Sequence, residues 1–161
     1  MTRMADGDST SLLGRVPPAV WFFTLLLGGW GLDRLAPLPI PFPTFAGQLW
    51  PALVLFAAAA LFAGSAIRLF AAKQTSLLPF SQASTLLDTG PFRVSRNPLY
   101  VALVAALFAF GLLLASFWLL LSSALLALAL DRFVIRSEES ALSRAFGEQY
   151  AAYVRRVRRW L

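Results

Sequence analysis

Four apolar segments divide this chain, each close to the roughly 17–25 residues that a helix needs to cross a bilayer core of about 30 Å. They run from Pro17 to Leu32, Leu49 to Ala71, Pro98 to Leu114 and Ser116 to Ile135. The expectation is an all-α integral membrane bundle of about four transmembrane helices. Composition agrees, with 58% hydrophobic and 14% charged residues, against about 25% charged in an ordinary soluble domain. The 161 residues suit one compact domain over 1–161 and leave no room for a second soluble one. The first segment lacks a small-residue cleavage site and runs into APLPIPFP, so it is read as a retained span and not a signal peptide. Gly111 to Trp118 carries no charge and predicts a tight turn at the far interface.

Charge placement then orients the bundle, because cytoplasmic flanks retain Lys and Arg. On a four-span topology every Lys and Arg except Arg34 falls on one side, so both termini are expected in the cytoplasm. The net charge of +6 is therefore membrane-surface charge, and no nucleic-acid partner is expected. Cys and His are both absent, which removes disulfides, thiolate nucleophiles, Ser-His triads and the common metal sets, so no metal is expected.

Polar residues gather at the cytoplasmic side. Residues 1–15 are expected to be disordered, and residues 73–97 form the one long polar connection, a length that favours a functional loop. It ends in the hinge GPFRVSRNPLY, Gly90 to Tyr100, which supports two readings. In one, Asn97 caps the third span through its side-chain oxygen, Pro98 occupies the first helical position, and Tyr100 anchors the interface. In the other, Gly90 permits a close turn, Arg96 offers a planar donor to an anion, and Phe92 and Tyr100 offer ring faces to a cation.

Beyond the fourth span lie the adjacent acids Glu138 and Glu139. They suit a solvated helix start if a helix begins near Ser137, and a ligand site equally well if the fourth span continues and the hinge lies opposite. Leu142, Phe146, Tyr150, Tyr153, Val157 and Trp160 then recur at helical spacing among arginines, which predicts an amphipathic cytoplasmic helix over 137–160. Such a helix lies on anionic lipid or caps a pocket.

The ordered set KQTSLLPF, STLLDTGPF, SRNPLY, EES and FGEQYAAYVRRVRRW resembles the isoprenylcysteine carboxyl methyltransferase and phospholipid methyltransferase superfamily, from about Lys73 to Trp160. The resemblance implies a membrane enzyme that transfers a methyl group from S-adenosyl-L-methionine to a lipophilic acceptor, a prenylcysteine-like carboxylate or another lipid or small hydrophobic molecule. By position, it implies cofactor contacts at Ser84, Thr85, Leu86, Leu87, Gly90, Phe92, Arg96, Asn97, Pro98, Leu99, Tyr100, Glu138 and Glu139. Asn97 stands where many members have histidine, so a proton-transfer role at that position is lost. The substrate-positioning arginine of the family falls on Val134, which leaves Arg132 or Arg136 to serve. The alternative is a small non-enzymatic membrane scaffold that binds anionic lipid. The acceptor and the oligomeric state are not fixed by these residues.

Overall fold

The computed structural model describes residues 16–38, 40–41, 45–73 and 86–161. Among the described residues the regular structure is helical throughout: α1 (Pro18–Leu35), α2 (Phe45–Ala72), a short 3₁₀ turn (Gly90–Arg93), α3 (Pro98–Leu113), α4 (Phe117–Ala129), a π-helical stretch (Leu130–Ile135) and α5 (Arg136–Arg156). Residues 1–15, Ser84 and Thr85 lie outside the described set. Two helical runs, Gly47–Ala72 and Phe117–Arg156, are long and apolar enough by themselves to cross a membrane, and α3 is a shorter apolar helix. The protein is thus a helical membrane protein. α1 carries Asp33 and Arg34 in its last turn, which lowers its apolar character relative to the segment read from sequence.

Prolines start the helices where a missing N–H costs nothing: Pro18 opens α1 and Pro98 opens α3. α1 packs on α4, and α2 on α3. Their shared core is Leu107, Leu119, Leu126, Leu130, Val134 and Ile135, all fully buried, with Phe22 of α1 against it. Phe23, Leu27, Val54, Leu61 and Leu128 point outward and are exposed, as hydrocarbon-facing side chains should be.

The α3–α4 turn is as tight as the uncharged stretch predicts. Gly111 lies so close to α4 that a Cβ there would stand 2.9 Å from the Leu120 amide nitrogen and collide with the Leu120 side chain. Ala115 takes φ +47°, a conformation that costs a non-glycine residue energy. Ser116 holds the corner: its Oγ accepts from the Leu119 amide at 3.3 Å and donates to Asp33 Oδ1 at 2.7 Å. Trp118 Nε1 donates to the Ala36 carbonyl at 2.6 Å, and Arg34 sits 5.2 Å from the Trp30 ring. A small polar cap therefore closes the end of the bundle remote from the hinge.

At the other end the fourth span continues, one of the two alternatives left open by the sequence. No break separates the fourth span from the C-terminal helix, because the π-helical stretch carries α4 directly into α5. The resulting run of 40 residues would reach about 60 Å if straight. It bends at Gly147, whose φ of +47° lies in the left-handed region that favours glycine. The helix stops at Arg156, not near Trp160; Val157 is extended, at φ −125° and ψ 132°. Residues 157–161 run back along the hinge as a strap.

Candidate active site

Gly90 starts the hinge with φ +57°, and the nearest atom to an added Cβ would be 3.8 Å away, so backbone angle and not space demands glycine. The 3₁₀ turn buries Phe92, edge-on to Phe70 at 5.6 Å between ring centres. The Phe92 carbonyl accepts from the Tyr153 hydroxyl at 2.7 Å. Leu87 is buried in the same cluster and Leu86 packs on it. The Phe92 ring is thus packed into this cluster.

Asn97 does not cap α3 through its side chain. Its Nδ2 donates instead to the Arg159 carbonyl at 2.9 Å, and its own carbonyl takes the Tyr100 and Val101 amides. Ser95, fully buried, donates from Oγ to the same carbonyl at 3.2 Å, while the Arg96 amide donates to the Arg158 carbonyl at 3.0 Å.

The hinge and the acidic pair meet directly. Tyr100, in the first turn of α3, donates from its hydroxyl to Glu138 Oε1 at 2.7 Å. Arg96 NH1 lies 3.1 Å from Glu139 Oε1. Glu139 is also held by Arg159, whose NH2 reaches Oε2 at 2.6 Å and whose Nε reaches Oε1 at 3.2 Å, a forked arrangement. Arg159 NH1 then lies 3.1 Å from Asp131 Oδ1, which also accepts from Trp160 Nε1 at 3.2 Å. Arg96 NH1 is therefore committed to an internal carboxylate, while its buried Nε has no hydrogen-bond partner.

Glu138 differs from its neighbour. Among the described residues it forms no ion pair, and burial pushes its carboxyl up to about 7; the Tyr100 hydrogen bond opposes that shift and the Glu139 charge adds to it. Arg132 is exposed, and Arg136, 55% exposed, lies 3.9 Å from Asp131. Neither meets Tyr100 or Glu138, while Val134 is fully buried in the core. Pro98 is buried beneath the hinge and Leu99 packs on the aromatic cluster.

Asp131 and Arg159 were not among the residues singled out by sequence. Spacing gives a signal for Asp131 alone: it precedes the acidic pair by about two helical turns, and the continuous helix brings it and Glu139 onto one partner, Arg159. The π-helical stretch that carries Asp131 is a common feature of functional sites.

An apolar groove of about 450 Å³ leads away from Tyr100 between α2 and α3, with Phe56, Ala59 and Ala63 on one wall and Leu103 and Ala106 on the other. Small alanines on both helices open the trough. Among the described lining residues Tyr100 is the one with a polar side chain.

A family model described as phospholipid methyltransferase matches residues 48–149. The chain belongs to the phospholipid methyltransferase family. That family is part of the isoprenylcysteine carboxyl methyltransferase-like superfamily, and the match reaches further toward the N-terminus than the motifs do, taking in α2 as well as the hinge and the acidic pair. No curated protein and no solved structure matches the chain. Membership makes this a membrane methyltransferase, and Tyr100, Glu138 and the α2 and α3 walls of the groove lie within the matched residues.

Proposed function

We propose that the protein transfers a methyl group from S-adenosyl-L-methionine to a lipophilic acceptor drawn sideways from the bilayer. The observation that carries this reading is the meeting of hinge and acidic pair at the polar end of an apolar groove. When bound, the cofactor supplies an electrophilic sulfonium methyl. Two groups at the site suit its amino-acid end: the buried, unpartnered Arg96 Nε is a donor for a carboxylate, and the second oxygen of Glu138 is an acceptor for an ammonium. Leu86, Leu87, Gly90, Phe92, Asn97, Pro98 and Leu99 shape the hinge that holds these groups, with Ser84 and Thr85 preceding it in the chain. Glu139 acts through the charges it organises, Arg96 and Arg159.

The chain's own part in the reaction is orientation and exclusion of water. Holding two reactants in line can contribute roughly 7–11 kcal/mol, and a site walled by Phe, Leu and Ala is dry enough to strengthen its few charges. We assign the hinge end to the cytoplasm, because among the described residues every Lys and Arg except Arg34 belongs to that end; a bacterial inner membrane is the setting that the resemblance implies. Purified protein incubated with membrane lipid extract and methyl-labelled cofactor is expected to move label into the lipid fraction. Label that stays wholly in the aqueous phase would count for the scaffold alternative.

A further inference from the structure

α3 is sandwiched between α2 and α4, and a crevice opens along each of its two free faces. Tyr100, Leu103 and Ala106 line the groove described above, whereas Val101, Ala105 and Phe108 form a stripe about half a turn round the helix from them. That stripe lines a second cavity of about 440 Å³, walled by Leu55 of α2 and Ala127 of α4. Trp160 and Leu161 of the strap complete its lining. From Val101 to Phe108 the helix rises about 10 Å, and half of a bilayer core is about 15 Å. The crevice therefore suits the depth of one leaflet.

Its described walls carry no charge, and Phe108 and Leu161 are 40% and 66% exposed. In a membrane protein hydrocarbon fills such a space and water does not. A neighbouring helix would call for a run of small residues that allows close approach. Among the described lining residues only Ala105 and Ala127 are small. The strap also supplies a head for a lipid. Trp160, a residue type at home at the membrane interface, is fixed there by its Nε1 on Asp131 Oδ1 at 3.2 Å. Arg158, two residues earlier, is exposed and forms no ion pair among the described residues. A phosphate at the same level would meet that open charge.

We propose that this crevice binds an acyl chain of a phospholipid from the hinge-side leaflet, with the lipid phosphate on Arg158, and that this lipid is an effector that fastens the strap and not the methyl acceptor. The crevice lies on the face of α3 turned away from Tyr100, with the strap's Trp160 on Asp131 at its margin. A chain laid on Trp160 and Leu161 buries apolar surface. It thereby favours the seated strap, in which Arg159 forks onto Glu139 while the Arg158 and Arg159 carbonyls take the Arg96 amide and the Asn97 side chain. A lipid that binds only this arrangement stabilises it by mass action.

The full chain in dodecylmaltoside micelles is titrated with phosphatidylglycerol brominated near the middle of an acyl chain, since bromine quenches an indole it touches. Subtracting the emission of Trp160→Phe isolates Trp160. Its emission is expected to fall along a curve that levels off near one lipid per chain, with Tm rising by several degrees over the same range. Ala105→Phe, which sets a ring in the crevice, should weaken the apparent affinity by about tenfold or more. Arg158→Ala, at an exposed position that leaves the fold intact, should weaken it by about fivefold. Quenching that grows in proportion to lipid without levelling off overturns the site, as does a saturable curve that neither variant moves. Saturation with no rise in Tm overturns the fastening of the strap. A dimer in lipid-free micelles that Ala105→Phe separates would place a second copy of the chain in the crevice and overturn the lipid. None of these readouts involves the cofactor, so they are independent of the methyl-transfer reading.

Discussion

Replacing Arg159 by alanine will lower the thermal stability of the detergent-solubilised protein by about 2–3 kcal/mol, more than any other single change in the tail. Charge-assisted hydrogen bonds contribute about 1.5–3 kcal/mol each, and removing one partner leaves the other charge uncompensated. Arg159 bridges Glu139 and Asp131, whose side chains are 17% and 26% exposed, so part of the loss is recovered by water. For a chain of this size the loss corresponds to roughly 5–10 °C in Tm. Arg159→Lys should restore less than half of it, since an ammonium cannot form the fork on Glu139 while also reaching Asp131. The neighbouring exposed arginine Arg155 gives the contrast: Arg155→Ala should change Tm little. Differential scanning fluorimetry of the three variants checks the series, and an Arg159→Ala protein as stable as its parent would show that the strap does not hold the hinge.

The second large effect is a gain. Glu138→Gln is expected to stabilise the protein at pH 8 by about 2–3 kcal/mol. The sign follows from the carboxyl's being raised from 4.5 to about 7 in the fold. A folded state that holds its proton more tightly than the unfolded state is most favoured below pH 4.5 and loses that advantage as pH rises through 7. Glutamine stays neutral throughout and still offers Tyr100 an acceptor. The stability difference between variant and parent should therefore be near zero around pH 4.5, grow up to about pH 7–8 and then level off. Equilibrium unfolding in mixed micelles at several pH values measures it. A difference that did not change with pH would mean that Glu138 carries no burial cost.

Much of the architecture is legible in the sequence because hydrocarbon imposes a length and a polarity that the chain must obey. Pro17 and Pro98 mark helix starts, and the uncharged Gly111–Trp118 stretch predicts the tight turn. The joining of hinge to acids is legible too, as clustered polarity at one interface together with an ordered set of motifs. What sequence does not reveal is which charge meets which. Arg159 stands among Arg155, Arg156 and Arg158, and nothing in residue type distinguishes the one that folds back onto carboxylates from those that face water. Asn97 illustrates the same limit: asparagine before proline at a helix start predicts a cap, yet a strap carbonyl 62 residues away takes its amide group. Phe92 is an aromatic beside a glycine turn, a pattern shared by ligand-stacking rings and core rings, and only the position of Phe70 decides between them. The charges after Ile135 leave a new helix and a continuing span equally open in the sequence, and the backbone continues through a π-helical stretch.

The most direct test is thermal unfolding of the protein in detergent with and without S-adenosylhomocysteine, alongside Glu138→Ala. A ligand present at 100 times its Kd adds about 2.7 kcal/mol to a protein that binds it only when folded. The account predicts a clear upward shift for the parental chain and a markedly weaker one for Glu138→Ala at the same ligand concentration. Absence of any shift in the parental chain, or the same dose dependence in both proteins, would contradict a nucleoside site built from Tyr100, Arg96 and the acidic pair.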